Sequence, residues 1–180
     1  KFINSTPSLA RSIDSIRQAV AIMGQEQVRR WATVAIQLSL AEDQPGEVTR
    51  LSLVRAKFAE NLAGFFELGI FQNSLFMMGL FSLLDVILQK PMAEAIKEVA
   101  ANERVRQALV DKSGDFYPVL ELIFAYEHAD WDTVNILMIR AGLHVEDVSS
   151  AFIEAVVWYQ QLLSIIQAEE AEEAAGQMEG

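Results

Sequence analysis

The sequence predicts an all-α multi-helix bundle organised around one nearly all-apolar helix. Only four prolines interrupt 180 residues. Long stretches are rich in the strong helix formers Ala, Leu, Glu, Gln and Met. Apolar residues recur at spacings of three and four rather than two, and no Asn-Gly or Asp-Gly hairpin pair occurs. With 52% hydrophobic and 22% charged residues the composition is globular. The length suits a single domain, 1–180, with an acidic, fraying tail over 169–180.

Ile13, Ile16, Ala19, Val20 and Met23 step at helical spacing up to Gly24, a natural helix stop. A second helix is expected from about 25 to 40, with Val28, Trp31, Ala32, Ala35, Ile36 and Leu38 on its apolar side. Glu42-Asp43-Gln44-Pro45-Gly46 ends it. The third, about 47–68, carries Leu51, Val54, Phe58, Leu62 and Phe65 and closes at Gly69. The stretch of about 73–89 is apolar nearly all round, which marks it as the central, most buried helix.

Pro91 suits the first turn of the next helix, which runs toward 101. A charged segment, 102–110, and a polar loop, 111–115, follow. Val119, Leu122, Ile123 and Tyr126 share one face of a helix over 116–128. Asp130 or Asp132 caps another over 131–140, whose aromatic and aliphatic residues are expected to pack inward until Gly142 stops it. The last helix starts near Glu146. Its stripe of Val148, Phe152, Ala155, Tyr159, Leu162 and Ile166, widened by Val156 and Leu163, is broad enough to dock on the domain's own body, with a homodimer as the alternative.

A net charge of −11 argues against nucleic acid as a partner, because phosphate binding depends on clustered Lys and Arg. An anionic membrane surface is disfavoured for the same reason. The most membrane-like window, Ser74 to Leu88, is short of the roughly twenty residues a span requires and contains Asp85, so no membrane insertion is expected. The absence of cysteine rules out disulfides and thiolate metal sites and fits a cytoplasmic location. Lys1-Phe2-Ile3-Asn4-Ser5 reads as the start of a fragment.

His128 and His144 are the two histidines, too few for an imidazole-based metal site without cysteines or a close His-x-x-His pairing. Gly-x-Ser-x-Gly and glycine-rich phosphate loops are missing. No metal, cofactor or catalytic residue is therefore expected. Arg17, Arg29, Arg30 and Trp31 form the candidate interaction patch, since Arg and Trp are favoured interface anchors. The plainer account of Trp31 is as a core residue, with the arginines neutralising nearby carboxylates. Met77 and Met78 read as core filling.

Several landmarks follow one another in order: Asn4-Ser5, the run Ile13 to Ala19, Gly24, Arg29-Arg30-Trp31, Leu53-Val54-Arg55-Ala56, the run Phe76 to Asp85, Tyr126-Glu127 and Asp130-Trp131. This order resembles the HDOD domain, most closely the form that follows a cyclic di-GMP phosphodiesterase (EAL) domain in bacterial signalling proteins. The resemblance implies an HD-domain-like helical bundle that regulates through a protein partner or an upstream domain and is not itself an enzyme. Metal-dependent HD hydrolases, relatives of that family, carry a His-Asp doublet after a Gly-Leu-Leu segment. Here Gly79-Leu80-Phe81 leads into Ser82-Leu83, so the doublet is absent and these two positions are degenerate. Asp85 cannot replace it on a continuous helix, because two residues turn a side chain by about 200°. The alternative implied by the same kinship is a divergent HD-type metal-dependent phosphohydrolase with a relocated site.

Overall fold

The structure, a computed structural model, describes residues 46–99 and 101–178, with the side chains of the last helix described as far as Ser164. These residues belong to one compact unit, Gln44–Gly180. The helices expected before Gly46, and the patch of Arg17, Arg29, Arg30 and Trp31, lie outside the described residues.

The described residues form an all-α bundle: α1 Gly46–Leu62, α2 Gln72–Phe81, α3 Leu84–Leu88, α4 Met92–Ala95, α5 Glu103–Arg106, α6 Tyr117–Glu127, α7 Trp131–Ala141 and α8 Val145–Met178. The hub is α1, which packs against α2, α6 and α8. Five consecutive α1 residues, Ser52 to Ala56, are buried, so partners surround it. Fully buried Ala56 and Ala59 let neighbouring backbones come close. The closest approach is at Gly79 of α2, where a Cβ would lie 2.6 Å from the Cα of Ala56. Glycine is required there by space, since the obstructing atoms are backbone and cannot swing away.

Three expectations need correction. The first is that the apolar stretch over 73–89 forms one continuous central helix. It is broken at Ser82-Leu83. The Ser82 hydroxyl donates to the Gly79 carbonyl oxygen at 2.7 Å and the Ser82 amide to the same oxygen at 3.2 Å, a local closure that competes with the helical ladder. The rotation argument against Asp85 assumed an unbroken helix and therefore does not hold across this break.

The second is that α1 continues to Leu68. It stops at Leu62, because the chain turns through Ala63–Glu67, with Glu67 in the left-handed region at φ 58° and the Leu68 amide returning to the Ala63 carbonyl at 2.8 Å. Phe65, expected in the α1 core, is exposed. The charged segment over 102–110, to which the sequence reading assigns no element, is helical. Asn102 caps α5 by accepting from the Val105 amide at 3.0 Å, and the chain continues as a π-type turn, Gln107–Asp111, burying Val105, Ala108 and Leu109. Arg106 pairs with Glu103 and Asp111, so the charges that disguised this helix hold its outer side.

The third concerns α7. Val134, Leu137 and Met138 pack inward, but Trp131, Ile136 and Ile139 are exposed. Its ends are as expected. Asp130 accepts from the Thr133 amide and hydroxyl, and Gly142 stops the helix at φ 67°.

The final stripe docks on the body. Val148, Ala151, Ala155 and Leu162 are buried, and Asn61 on α1 donates to the Ala151 carbonyl at 2.9 Å. Phe152 meets Phe58 edge-on and packs on Tyr126, joining α8 to α1 and α6. At its start, the Asp147 carboxylate accepts from the His144 amide at 2.8 Å, satisfying a donor that the helix leaves open. No helix among the described residues is long and apolar enough to cross a membrane.

Two outcomes follow from this packing. Gly79→Ala forces α1 and α2 apart and should lower unfolding stability by about 1–3 kcal/mol in urea titration. Gly64→Ala, where the added carbon meets nothing within 4 Å, should stay within about 0.5 kcal/mol of the parent; equal losses would refute the close crossing. The Asp130 carboxyl is held below the ordinary aspartate range by the Thr133 hydroxyl and backbone bonds. Its depressed folded value means that this contribution is present above pH ~4 and is lost as pH falls further. Measured against Asp130→Asn, which keeps the cap without the charge, the parent should lose relative stability from pH ~4 toward 2. Parallel curves would contradict this.

Candidate functional site

The site is built where α2 breaks, the place at which the resemblance puts the missing doublet. Burial of Leu53, Val54 and Ala56 on either side turns Arg55 into the protein. A guanidinium taken from water must recover its hydrogen bonds from the protein. The partner is Glu127, in the last turn of α6. Arg55 Nε lies 2.8 Å from Glu127 Oε1 and Nη2 lies 2.6 Å from Oε2, the two-pronged arrangement in which Arg binds carboxylates best. Arg55 Nη1 donates to Ser82 Oγ at 3.1 Å. The carbon of the guanidinium sits 4.8 Å from the centre of the Phe124 ring, one turn before Glu127. The two charged side chains are 8% and 16% exposed, so solvent screening weakens the pair little.

Ser82 is thus engaged twice, donating to Gly79 and accepting from Arg55. Its neighbour Leu83 is half-buried. The position expected to be an emptied metal site is a junction in which a fixed guanidinium neutralises a carboxylate, fastening α1, the end of α2 and α6 together. Helical periodicity puts Arg55 on the polar flank of α1, which its burial corrects, and gives Glu127 no role, although both sit inside the landmarks quoted for the resemblance. The available signal was an arginine in a run of core residues, since a buried Arg requires a carboxylate.

His128 Nδ1 lies 2.7 Å from the Phe124 carbonyl, so it donates there. Both histidines are exposed. Among the described residues no three His, Asp or Glu side chains converge as a metal-binding group. Met78 is fully buried and Met77 half-buried, in agreement with core filling.

An all-α bundle is the class that this arrangement defines. Comparison with known proteins adds relatives: the chain is 29% identical over 167 residues to the cyclic di-GMP phosphodiesterase CdgJ of Vibrio cholerae, covering 92% of this chain and 39% of that protein. It is 32% identical over 168 residues to the uncharacterized protein YuxH of Bacillus subtilis, covering 91% of this chain and 40% of that protein. The chain therefore spans about two fifths of the length of these curated relatives. No family model matches it, and no solved structure does.

The similarity to CdgJ overturns the expectation that the chain is not an enzyme, since that relative carries the name of one. The expectation failed for a physical reason: the missing His-Asp doublet removes one metal chemistry at one position and leaves every other arrangement of groups untested.

The junction is testable by a double-mutant cycle. Arg55→Met or Glu127→Gln alone strands a buried partner and should cost about 3 kcal/mol of unfolding stability. The double replacement should cost less than the sum by about 2 kcal/mol; strict additivity would show that the two groups do not interact.

Proposed function

We propose that this chain is an HDOD-like helical part of a cyclic di-GMP phosphodiesterase signalling protein, and that it sets the activity of that protein through contacts with a protein partner or with another part of the same polypeptide. The observation that carries this reading is the similarity to CdgJ along nearly the whole chain. The ordered landmarks support the HDOD assignment, and three of them, at Arg55, Ser82 and Glu127, supply the groups of the buried junction. A bundle fastened across three helices is suited to transmitting a displacement from one face to another. Arg17, Arg29, Arg30 and Trp31 are the proposed contact residues, on the strength of their residue types.

The test is hydrolysis of cyclic di-GMP by the full-length protein, with Arg29→Ala/Arg30→Ala and Arg55→Met variants alongside the parent. The parent should hydrolyse cyclic di-GMP, and the variants should change the rate at least threefold while remaining folded by circular dichroism. A parent without activity would overturn the phosphodiesterase reading. An active parent with unaltered variants would overturn the regulatory one.

A further inference from the structure

Away from the junction, a cleft of about 420 Å³ opens between the turn after α1, the first half of α6 and the end of α7. Phe65, Phe66, Pro118 and Leu137 give it an apolar lining. Glu67, Glu121 and Arg140 stand in the same lining, and none of these three charged side chains pairs with another described residue. The smaller adjoining hollow differs: there Asp130 is committed to Thr133, and His128 to the Phe124 carbonyl. Open charges of both signs are therefore a property of the larger cleft.

Glu67 adds a second observation. It holds the left-handed conformation at φ 58°, where glycine is the unstrained choice. Gln89, Lys112 and Ala129 share this conformation, and what sets Glu67 apart is that its carboxylate stands in the lining of the cleft.

We propose that this cleft binds a free amino acid with an apolar side chain. One guanidinium and two carboxylates give the cleft a net charge of −1, which disfavours a phosphorylated or otherwise anionic ligand, as does the net charge of −11 on the chain. A zwitterion matches both signs. Its carboxylate pairs with the Arg140 guanidinium in the two-pronged geometry, its ammonium donates to Glu121 and Glu67, and its side chain covers Phe65, Phe66 and Leu137. The volume lies within the range usual for small-molecule pockets.

Titration calorimetry with L-leucine and L-phenylalanine tests this, with glycine, N-acetyl-L-leucine and L-leucinamide as controls. Leucine or phenylalanine should bind saturably at one equivalent, and each control should bind at least tenfold more weakly. Arg140→Gln and Glu121→Gln should each weaken binding tenfold or more. Glu67→Gly should weaken binding while raising the melting temperature, because it removes a contact and the backbone strain together. No saturable binding of either amino acid would overturn the proposal. Leucinamide binding as well as leucine would also overturn it, by showing that the cleft takes a cationic segment.

Discussion

A buried guanidinium imposes the strongest constraint on this fold. Arg55 lies on the helix that α2, α6 and α8 pack against, so its charge cannot be turned outward without withdrawing Leu53, Val54 and Ala56 from the core. Desolvation of that charge costs several kcal/mol, on the order of what a whole small domain retains as net stability. The pair with Glu127 and the bond to Ser82 offset this cost only when α6 and the end of α2 are both in place. The interaction therefore contributes to choosing one arrangement of helices over others, more than to the depth of the energy minimum.

The close crossing at Gly79 works with it. Gly79 is one turn before Ser82, and the atoms its missing Cβ would meet belong to Arg55 and Ala56. The same residues of α1 thus set both the distance to α2, through backbone contact, and its orientation, through the guanidinium. Ser82 joins the two effects, since its hydroxyl donates to the Gly79 carbonyl and accepts from Arg55. This accounts for the helix break at a place where the sequence is apolar on both sides.

Much of the fold was legible because it rests on local signals. Asp130 and Gly142 bound α7 through capping chemistry, and the broad stripe of α8 announced a helix that docks on its own domain. Hydropathy alone misled where a single polar side chain outweighed its neighbours, as at Ser82, or where surface ion pairs hid three buried residues, as at Val105, Ala108 and Leu109. Periodicity gave α7 too much core, because it registers apolar residues without registering whether a neighbour exists to cover Ile136 and Ile139. The junction was half legible. Ser82 was noticed for what it lacks, whereas the partnership of Arg55 with Glu127, 72 residues apart, requires the fold to reveal it.

The absence of one catalytic doublet does not decide activity, since the chain is similar to part of a protein that is named as an enzyme and is more than twice its length. What the junction establishes is mechanical: three helices meet at one desolvated ion pair. Nitrogen-detected NMR of the arginine side chains examines that pair directly. The account predicts that the Arg55 Nε proton exchanges with water far more slowly than that of exposed Arg140 and that its two Nη groups give separate signals. Exchange of Arg55 as fast as Arg140, with a single averaged Nη signal, would contradict it.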